Sequence, residues 1–108
     1  LKIYDYPIAT TAMRAQPRDY PCMPCVMVSW DNTARRGPEG IVFINANPET
    51  FKAHLASVVD EAQATPFERR IVVVNAWNEW AQGNHLEPDQ RHVHGWLEAV
   101  RDVVMPER

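Results

Sequence analysis

Residues 75–89 combine the side-chain types that bind and react with sugars. This segment, NAWNEWAQGNHLEPD, contains carboxylates, amides, a histidine and tryptophans. An indole face can stack on the apolar C–H face of a pyranose, while amides and carboxylates hydrogen-bond to its hydroxyls. The composition therefore predicts a carbohydrate site.

The segment directly follows the aliphatic run at residues 71–74, IVVV. A short run of β-branched residues is typical of a strand in a parallel sheet with both faces covered. In parallel α/β folds, ligands bind just beyond the carboxyl ends of the strands. The position of residues 75–89 after a strand and their composition therefore both favour a ligand site.

Size and charge narrow the function class. The 108 residues allow one domain at most, and a formal net charge of -3 disfavours a binder of phosphate backbones, so no nucleic acid partner is expected. No stretch approaches the roughly 20 apolar residues of a membrane helix, and a cytoplasmic location is predicted. Because the chain opens with Leu1 rather than Met, we expect a segment of a longer polypeptide.

Cys22 and Cys25 form a C-x-x-C pair. A zinc site needs two further ligands at matching spacing, and a thioredoxin-type site needs the first cysteine at the start of a helix. Neither condition is met, so two reduced, structural thiols are predicted.

One helix is strongly indicated in the middle of the chain. Asn47, Pro48 and Glu49 provide an N-cap residue, a proline for the first turn and an acidic residue beside the helix N-terminus. The apolar stripe that follows consists of Phe51, Leu55, Val58 and Ala62. Thr65-Pro66 is expected to end this helix.

The remaining elements are predicted from the spacing of apolar residues and from the positions of glycine, proline and polar residues. We predict strands at residues 25–30 and 71–75, a polar loop at 31–40, an early helix near residues 7–14 and a last helix from about Gln90 to Pro106. The inward face of the last helix is expected to contain Val93, Leu97, Val100 and Val104. This order gives a βαβα unit, the building block of parallel sheets.

Residues 41–46, IVFINA, echo residues 71–76, IVVVNA. Such an echo would suit a repeated unit. Since no helix is expected between Trp30 and Ile41, an added edge strand or a buried loop segment is the favoured interpretation.

Residues 30–37, WDNTARRG, and residues 75–89 resemble the C-terminal part of the WbsX-type proteins of bacterial surface-polysaccharide biosynthesis. These proteins are often described as glycosyltransferases and carry a domain similar to glycoside hydrolase family 99. The resemblance extends from about Tyr4 to the last helix. It implies an α/β fold, a (β/α)8 TIM-type barrel of which this chain would form the C-terminal βαβα portion, with the remainder of the barrel as its partner.

In the hydrolase relatives the motif reads Asn-Glu-Trp-x-Glu-Gly, and its two carboxylates carry catalysis. The resemblance places the first carboxylate at Glu79, as a base that assists attack by the sugar's 2-hydroxyl. The second, the acid toward the leaving oxygen, falls on Gln82. Because an amide cannot donate and accept a proton in that cycle, the hydrolytic pair is incomplete.

Glycoside cleavage usually needs two carboxyl groups, and Glu87 or Asp31 are candidates for the second. Transfer from a sugar-nucleotide or lipid-linked donor needs less, because a phosphate leaves without a strong protein acid. The leading hypothesis is therefore glycosyl transfer in surface-polysaccharide (lipopolysaccharide O-antigen) biosynthesis. The alternatives are an endo-mannosidase-like hydrolase and a non-catalytic, sugar-binding or incomplete barrel segment.

Around Glu79 and Gln82, the predicted substrate-binding residues are Asp31, Asn32, Arg35, Arg36, Asn78, Trp80, His85 and Glu87. For Trp77, the sequence does not decide between a position in the site and a position in the core. For Glu79, the alternative is a carboxylate that caps a turn or pairs with an arginine, and for Arg35 and Arg36 it is a solvated basic loop. His92 and His94 diverge on a helix, so no metal or cofactor is expected, and Asp89 is predicted to cap the last helix.

Overall fold

The computed structural model describes residues 1–16 and 20–105. Strands and helices alternate as far as residue 75, and two further strands then precede the last helix. In order they are β1 (Lys2–Asp5), α1 (Tyr6–Arg14), β2 (Cys25–Met27), α2 (Thr33–Arg36), β3 (Ile41–Ile44), α3 (Pro48–Gln63), β4 (Val73–Asn75), β5 (Asn78–Glu79), β6 (Asn84–His85) and α4 (Gly95–Val104). Short 3-10 turns lie at Gly37–Glu39, Phe67–Arg69 and Trp80–Gln82.

The strands form small parallel pairs that skip one strand in the sequence. β1 pairs with β3 in parallel, with Lys2 opposite Ile41, and β2 pairs with β4 in parallel, with Cys25 opposite Val73. β5 and β6 form an antiparallel hairpin. The structure is therefore α/β with parallel strands, and the closed barrel stays a prediction.

Helix α3 forms as its sequence predicts. The Asn47 side chain accepts a hydrogen bond from the Thr50 backbone N–H while the Thr50 hydroxyl accepts one from the Asn47 backbone N–H, which completes a capping box. The expected stripe is buried throughout: Phe51, Leu55, Val58 and Ala62. Local signals alone were sufficient here, because cap and stripe agree.

The core lies between α3, α4 and strand β2. Val26 and Val28 are fully buried against the α3 stripe, and Trp96 and Ala99 of α4 complete the cluster. The Phe51 and Trp96 rings meet edge to face, with centroids 5.7 Å apart. This cluster fixes the position of α4, the helix that follows the candidate site.

The helix expected near residues 7–14 is confirmed as α1. It begins at Tyr6, which is buried and whose hydroxyl donates to the Met27 carbonyl at 2.6 Å. Burial raises the pKa of Tyr6 well above its usual range. Within residues 1–16 and 20–105, no helix has the length and apolarity required to cross a membrane.

The expectation that residues 71–74 are covered on both faces is wrong for this chain. Val72 and Val74 pack against the core, whereas Ile71 and Val73 are 46% and 47% exposed. The ladder begins at Val73. Since α3 and α4 cover one face of the strand, the other face remains open.

The last helix is shorter than predicted. It begins at Gly95, not near Gln90, because the backbones of Asp89 and Val93 bond to each other and form a turn. Val93 has a positive φ of 54° and is 58% exposed, so its expected inward position is wrong. Val104 is 51% exposed as well, and Pro106 lies outside the described residues.

β3 lies at the edge of a two-stranded sheet, as the favoured interpretation expected. It pairs with β1 on one side, and on the other side the Phe43 N–H donates to the Trp30 carbonyl and the Asn32 N–H to the Ile41 carbonyl. The loop before it also contains the one-turn helix α2, which the sequence did not suggest. Both echoing segments contain a parallel strand, but β3 leads directly into α3 whereas the β5–β6 hairpin separates β4 from α4, so the repeat stays a prediction.

Phe51→Ala tests the core. Truncating this fully buried ring removes its contact with Trp96 and leaves a cavity, so we expect the free energy of unfolding to fall by about 3–5 kcal/mol. Denaturant titration of the polypeptide that carries this chain measures the change. Phe67→Ala is the matched control: Phe67 is 82% exposed, and its truncation should change stability by less than about 0.5 kcal/mol.

Candidate functional site

The motif segment folds as the β5–β6 hairpin. Asn78 lies opposite His85 and Glu79 opposite Asn84, and the 3-10 turn Trp80–Gln82 joins the two strands. Gly83 follows this turn in the left-handed region, with φ 56°. A Cβ at Gly83 would lie 3.1 Å from the Asp31 backbone nitrogen, so the hairpin touches the loop after β2.

Asn84 attaches the hairpin to the ends of β2 and β4. Its side chain is fully buried, and its Oδ1 accepts from the Ala76 N–H at 3.2 Å and the Ser29 N–H at 3.5 Å. The Ser29 hydroxyl donates to the Gly83 carbonyl. The hairpin is therefore held by partly buried hydrogen bonds, whose loss would leave backbone donors without partners.

The two sequence motifs meet in space. The Asp31 N–H donates to the Gln82 carbonyl at 2.8 Å, and α2 packs beside the Trp80–Gln82 turn. This contact brings the predicted loop residues Arg35 and Arg36 next to the hairpin. Both arginines are exposed and form no ion pair with the described part of the chain.

Asp31 and Asn32 both order their own loop. The Asp31 Oδ1 accepts from the Thr33 N–H at 2.9 Å and from the Thr33 hydroxyl. The Asn32 Oδ1 accepts from the Ile41 N–H at 2.7 Å, which ties the loop to β3. Asn32 thus has a structural role, while Asp31 keeps its second carboxylate oxygen for other partners.

The predicted catalytic positions differ in environment. The Glu79 side chain is exposed and forms no hydrogen bond or ion pair within residues 1–16 and 20–105, so it neither caps a turn nor pairs with an arginine there. Gln82 is half-buried and anchors the hairpin through its backbone. Asn78, its side chain exposed, is placed on β5 beside Glu79.

Trp80, His85 and Glu87 form a connected group. The Trp80 and His85 rings are stacked, with centroids 3.7 Å apart and planes 14° from parallel. The Trp80 Nε1–H donates to Glu87 Oε1 at 2.7 Å. Two predicted substrate-binding residues, His85 and Glu87, thus contact a third, Trp80.

The carboxylate of Asp89 holds this group in place. Its Oδ2 lies 2.7 Å from His85 Nε2 and accepts from Trp96 Nε1–H at 3.1 Å, while its Oδ1 accepts from the His92 N–H. Burial by itself would raise the pKa of Asp89. The hydrogen bonds from His92, His85 and Trp96 outweigh that effect and lower the pKa to about 2.

The role predicted for Asp89, a cap for the last helix, is corrected by this geometry. Its carboxylate accepts from His92, three residues before the first residue of α4. The helix itself begins after His94, which forms no side-chain cap. The side chain therefore closes a turn and anchors His85 instead of starting the helix.

A cavity of about 480 Å³ opens between the ends of β2 and β3, the hairpin and the start of α4. Of the predicted site residues, Asp31 and His85 line it. The polar and aromatic lining residues that sequence reasoning did not assign to the site are Ser29, Trp30, Phe43, Asn45, Asn47, Asp89, Arg91, His92 and Trp96. Treating β3 as a strand with a functional carboxyl end would have found Asn45 and Asn47.

Cys22 and Cys25 carry free thiols, and both side chains are exposed. Within the part of the chain that the structure describes, no group of three or more His, Cys, Asp or Glu side chains is arranged to hold a metal ion.

Comparison with known proteins identifies the family. The sequence model of Glycosyltransferase WbsX matches residues 1–100. This chain belongs to the WbsX family. Membership supports a carbohydrate-active role and agrees with the resemblance carried by the two motifs.

Two relatives from Xanthomonas campestris pv. campestris, each described as uncharacterized protein WxcX, are similar to this WbsX-family chain. In strain B100 the identity is 38% over 104 residues, covering 94% of this chain and 15% of the relative. In strain ATCC 33913 it is 42% over 88 residues, covering 81% and 13%. The chain thus spans about 15% or less of the length of these relatives. No solved structure matches it significantly.

Asp89→Asn tests how much the Asp89 carboxylate contributes to stability. Since the pKa of Asp89 is lowered on folding, its contribution is complete above its unfolded pKa of about 4 and is lost as the pH falls toward 2. We expect the variant to be less stable by about 1–2 kcal/mol at pH 7, with a difference that shrinks between about pH 4 and pH 2. Thermal unfolding across this pH range measures it.

Asp60→Asn, which changes an exposed carboxylate of α3, is the control and should follow the wild type at each pH. A stability difference for Asp89→Asn that is constant from pH 7 to pH 2 would contradict the assigned role.

Proposed function

We propose that this chain carries part of the carbohydrate site of a glycosyltransferase in bacterial surface-polysaccharide (lipopolysaccharide O-antigen) biosynthesis. The observation that carries the proposal is Glu79, an exposed carboxylate with no partner in the described chain, on a hairpin held by partly buried hydrogen bonds. Its family supports a carbohydrate substrate. The cavity beside the hairpin adds tryptophan, amide and charged groups of the kind that bind sugars.

In this proposal Glu79 is the base that accepts the proton of an acceptor hydroxyl. A base needs a free lone pair within reach of that proton, and the carboxylate of Glu79 is not occupied by any described donor. The leaving group is the phosphate of a sugar-nucleotide or lipid-linked donor, for which Arg35 and Arg36 offer bidentate contacts. Both side chains are exposed beside the hairpin.

Hydrolysis is the less favoured chemistry on this geometry. Position 82 carries an amide, and Glu87, a candidate acid, already accepts the Trp80 N–H at 2.7 Å. Asp31 is likewise engaged by Thr33 through one oxygen. Transfer from a phosphate donor needs no such acid.

The rest of a (β/α)8 barrel is part of the proposal. Ile71 and Val73 expose apolar surface on the open face of β4, and further strands of the same polypeptide would cover that surface. The cytoplasmic location stays a prediction.

Glu79→Gln in the full-length polypeptide tests the assignment. The change preserves size but removes the basic carboxylate, so we expect turnover with the donor and glycan acceptor to fall by about 10²-fold or more. Because Glu79 is exposed and forms no hydrogen bond to the described chain, the melting temperature should stay within about 1 °C of the wild type.

Glu68→Gln removes another exposed carboxylate, outside the hairpin, and should keep wild-type activity. Undiminished turnover by Glu79→Gln would refute the catalytic role of Glu79.

Gln82→Glu separates transfer from hydrolysis. It restores the second carboxylate of the hydrolase motif at a half-buried position of the turn. If the site evolved for transfer, we expect transfer to persist without appreciable glycan cleavage, as measured by release of reducing ends. Strong cleavage activity in this variant alone would favour the hydrolase alternative.

A further inference from the structure

An aromatic ring at the tip of the hairpin is held in a fixed orientation although it is half exposed. The Trp80 side chain is 50% exposed. One face lies on the His85 ring, and the Nε1–H donates to Glu87. Since one face and the N–H edge are occupied, the exposed surface is largely the opposite face of the indole.

The support beneath this ring extends into the core. The side chain of His85 is 14% exposed, and its Nε2 is bonded to Asp89 at 2.7 Å. Asp89 is in turn bonded to Trp96, which is 3% exposed and packs on Phe51. His85 cannot tilt away from Trp80 without losing its contact with a carboxylate that the core holds in place.

We propose that the outward face of Trp80 is a stacking subsite for a pyranose ring of the glycan substrate, and that His85 is the residue that positions it. The inference rests on the proposed carbohydrate function and names a subsite within it. A ring that is already ordered loses little side-chain entropy on binding, so the stacking energy is retained as affinity.

Two carboxylates beside the platform can hold the hydroxyls of a sugar ring. Glu79 precedes Trp80, and its carboxylate is exposed and without a partner in the described chain. Glu87 adds a second carboxylate at the indole edge. Both carboxylates accept hydrogen bonds from sugar hydroxyls. The phosphate of a donor would instead bind Arg35 and Arg36 of the neighbouring α2.

Trp77 provides a matched comparison on the same segment. It is also 50% exposed. Within residues 1–16 and 20–105, its ring stacks on no other aromatic side chain and its indole N–H has no acceptor, in contrast to Trp80. If exposure alone made a sugar platform, the two tryptophans would be equivalent.

The test measures sugar binding by the full-length polypeptide without turnover. A panel of methyl pyranosides is titrated and followed by saturation-transfer NMR and calorimetry, with uridine and guanosine as nucleoside probes. Trp80→Ala should weaken pyranoside binding by about tenfold, the size of one aromatic contact, while Trp77→Ala should change it by less than about twofold.

The positioning role of His85 is tested by replacement and rescue. His85→Ala should weaken binding by about threefold or more, because Trp80 loses the ring beneath it. His85→Phe restores an aromatic ring beneath Trp80 but not the bond to Asp89, so it should recover part of the affinity. Both variants lose the bond to Asp89, so their melting temperatures should fall together. An equal loss of affinity in His85→Phe and His85→Ala would refute the positioning role.

Several results would overturn the subsite. They are the absence of pyranoside binding by the wild type, unchanged binding by Trp80→Ala, an equal loss in Trp77→Ala, and nucleoside binding that depends on Trp80 in place of sugar binding. Pyranoside binding through Trp80 in a polypeptide that transfers no sugar would refute the proposed transferase function alone. Turnover by Trp80→Ala at unchanged KM would refute the subsite alone.

Discussion

The hydrogen bond from the Trp96 indole N–H to Asp89 joins the core of this chain to its candidate site. Trp96 is buried against Phe51, and its Nε1 lies 3.1 Å from Asp89 Oδ2. Through that carboxylate the packing of α3 against α4 determines where His85 lies. The precision of a site depends on such supporting contacts, and here one side chain belongs to both the core and the support.

The carboxylates of the motif segment have different uses. Asp89 accepts three hydrogen bonds, and its lowered pKa follows from them. Glu87 accepts one, from Trp80, and Glu79 accepts none from the described chain. A carboxylate whose lone pairs are all engaged stabilises structure, whereas one that is free can accept a proton or a substrate hydroxyl.

The sequence predicted those parts of the fold that depend on local signals. Helix α3 followed from its cap and its stripe, because both act within a few residues. The start of α4 was not predicted correctly. Asp89 accepts a hydrogen bond from the His92 N–H, and because this closes a turn, the helix begins only after it. The exposed face of β4 was also unpredictable, because the aliphatic run carries no information on which neighbours cover it.

The sequence predicted several residues of the site, but few of the contacts between them. Proximity of the two motifs agreed with the strand-end argument, and Asp31 and His85 do line the cavity. The contributions of Trp96 and Asn45 depend on helix and strand placement that the periodicity did not reveal. The supporting role of Asp89 could not be predicted, because it depends on hydrogen-bond partners that only the fold brings together.

The close approach at Gly83 links the two loops of the site. A side chain at this position would meet the Asp31 backbone at 3.1–3.2 Å, and the left-handed φ further disfavours any residue with a Cβ. The loop after β2 and the turn of the hairpin therefore share one small volume. Insertions or bulkier residues in one loop can be accommodated only by compensating changes in the other, so among relatives of this chain the two loops should vary as a pair.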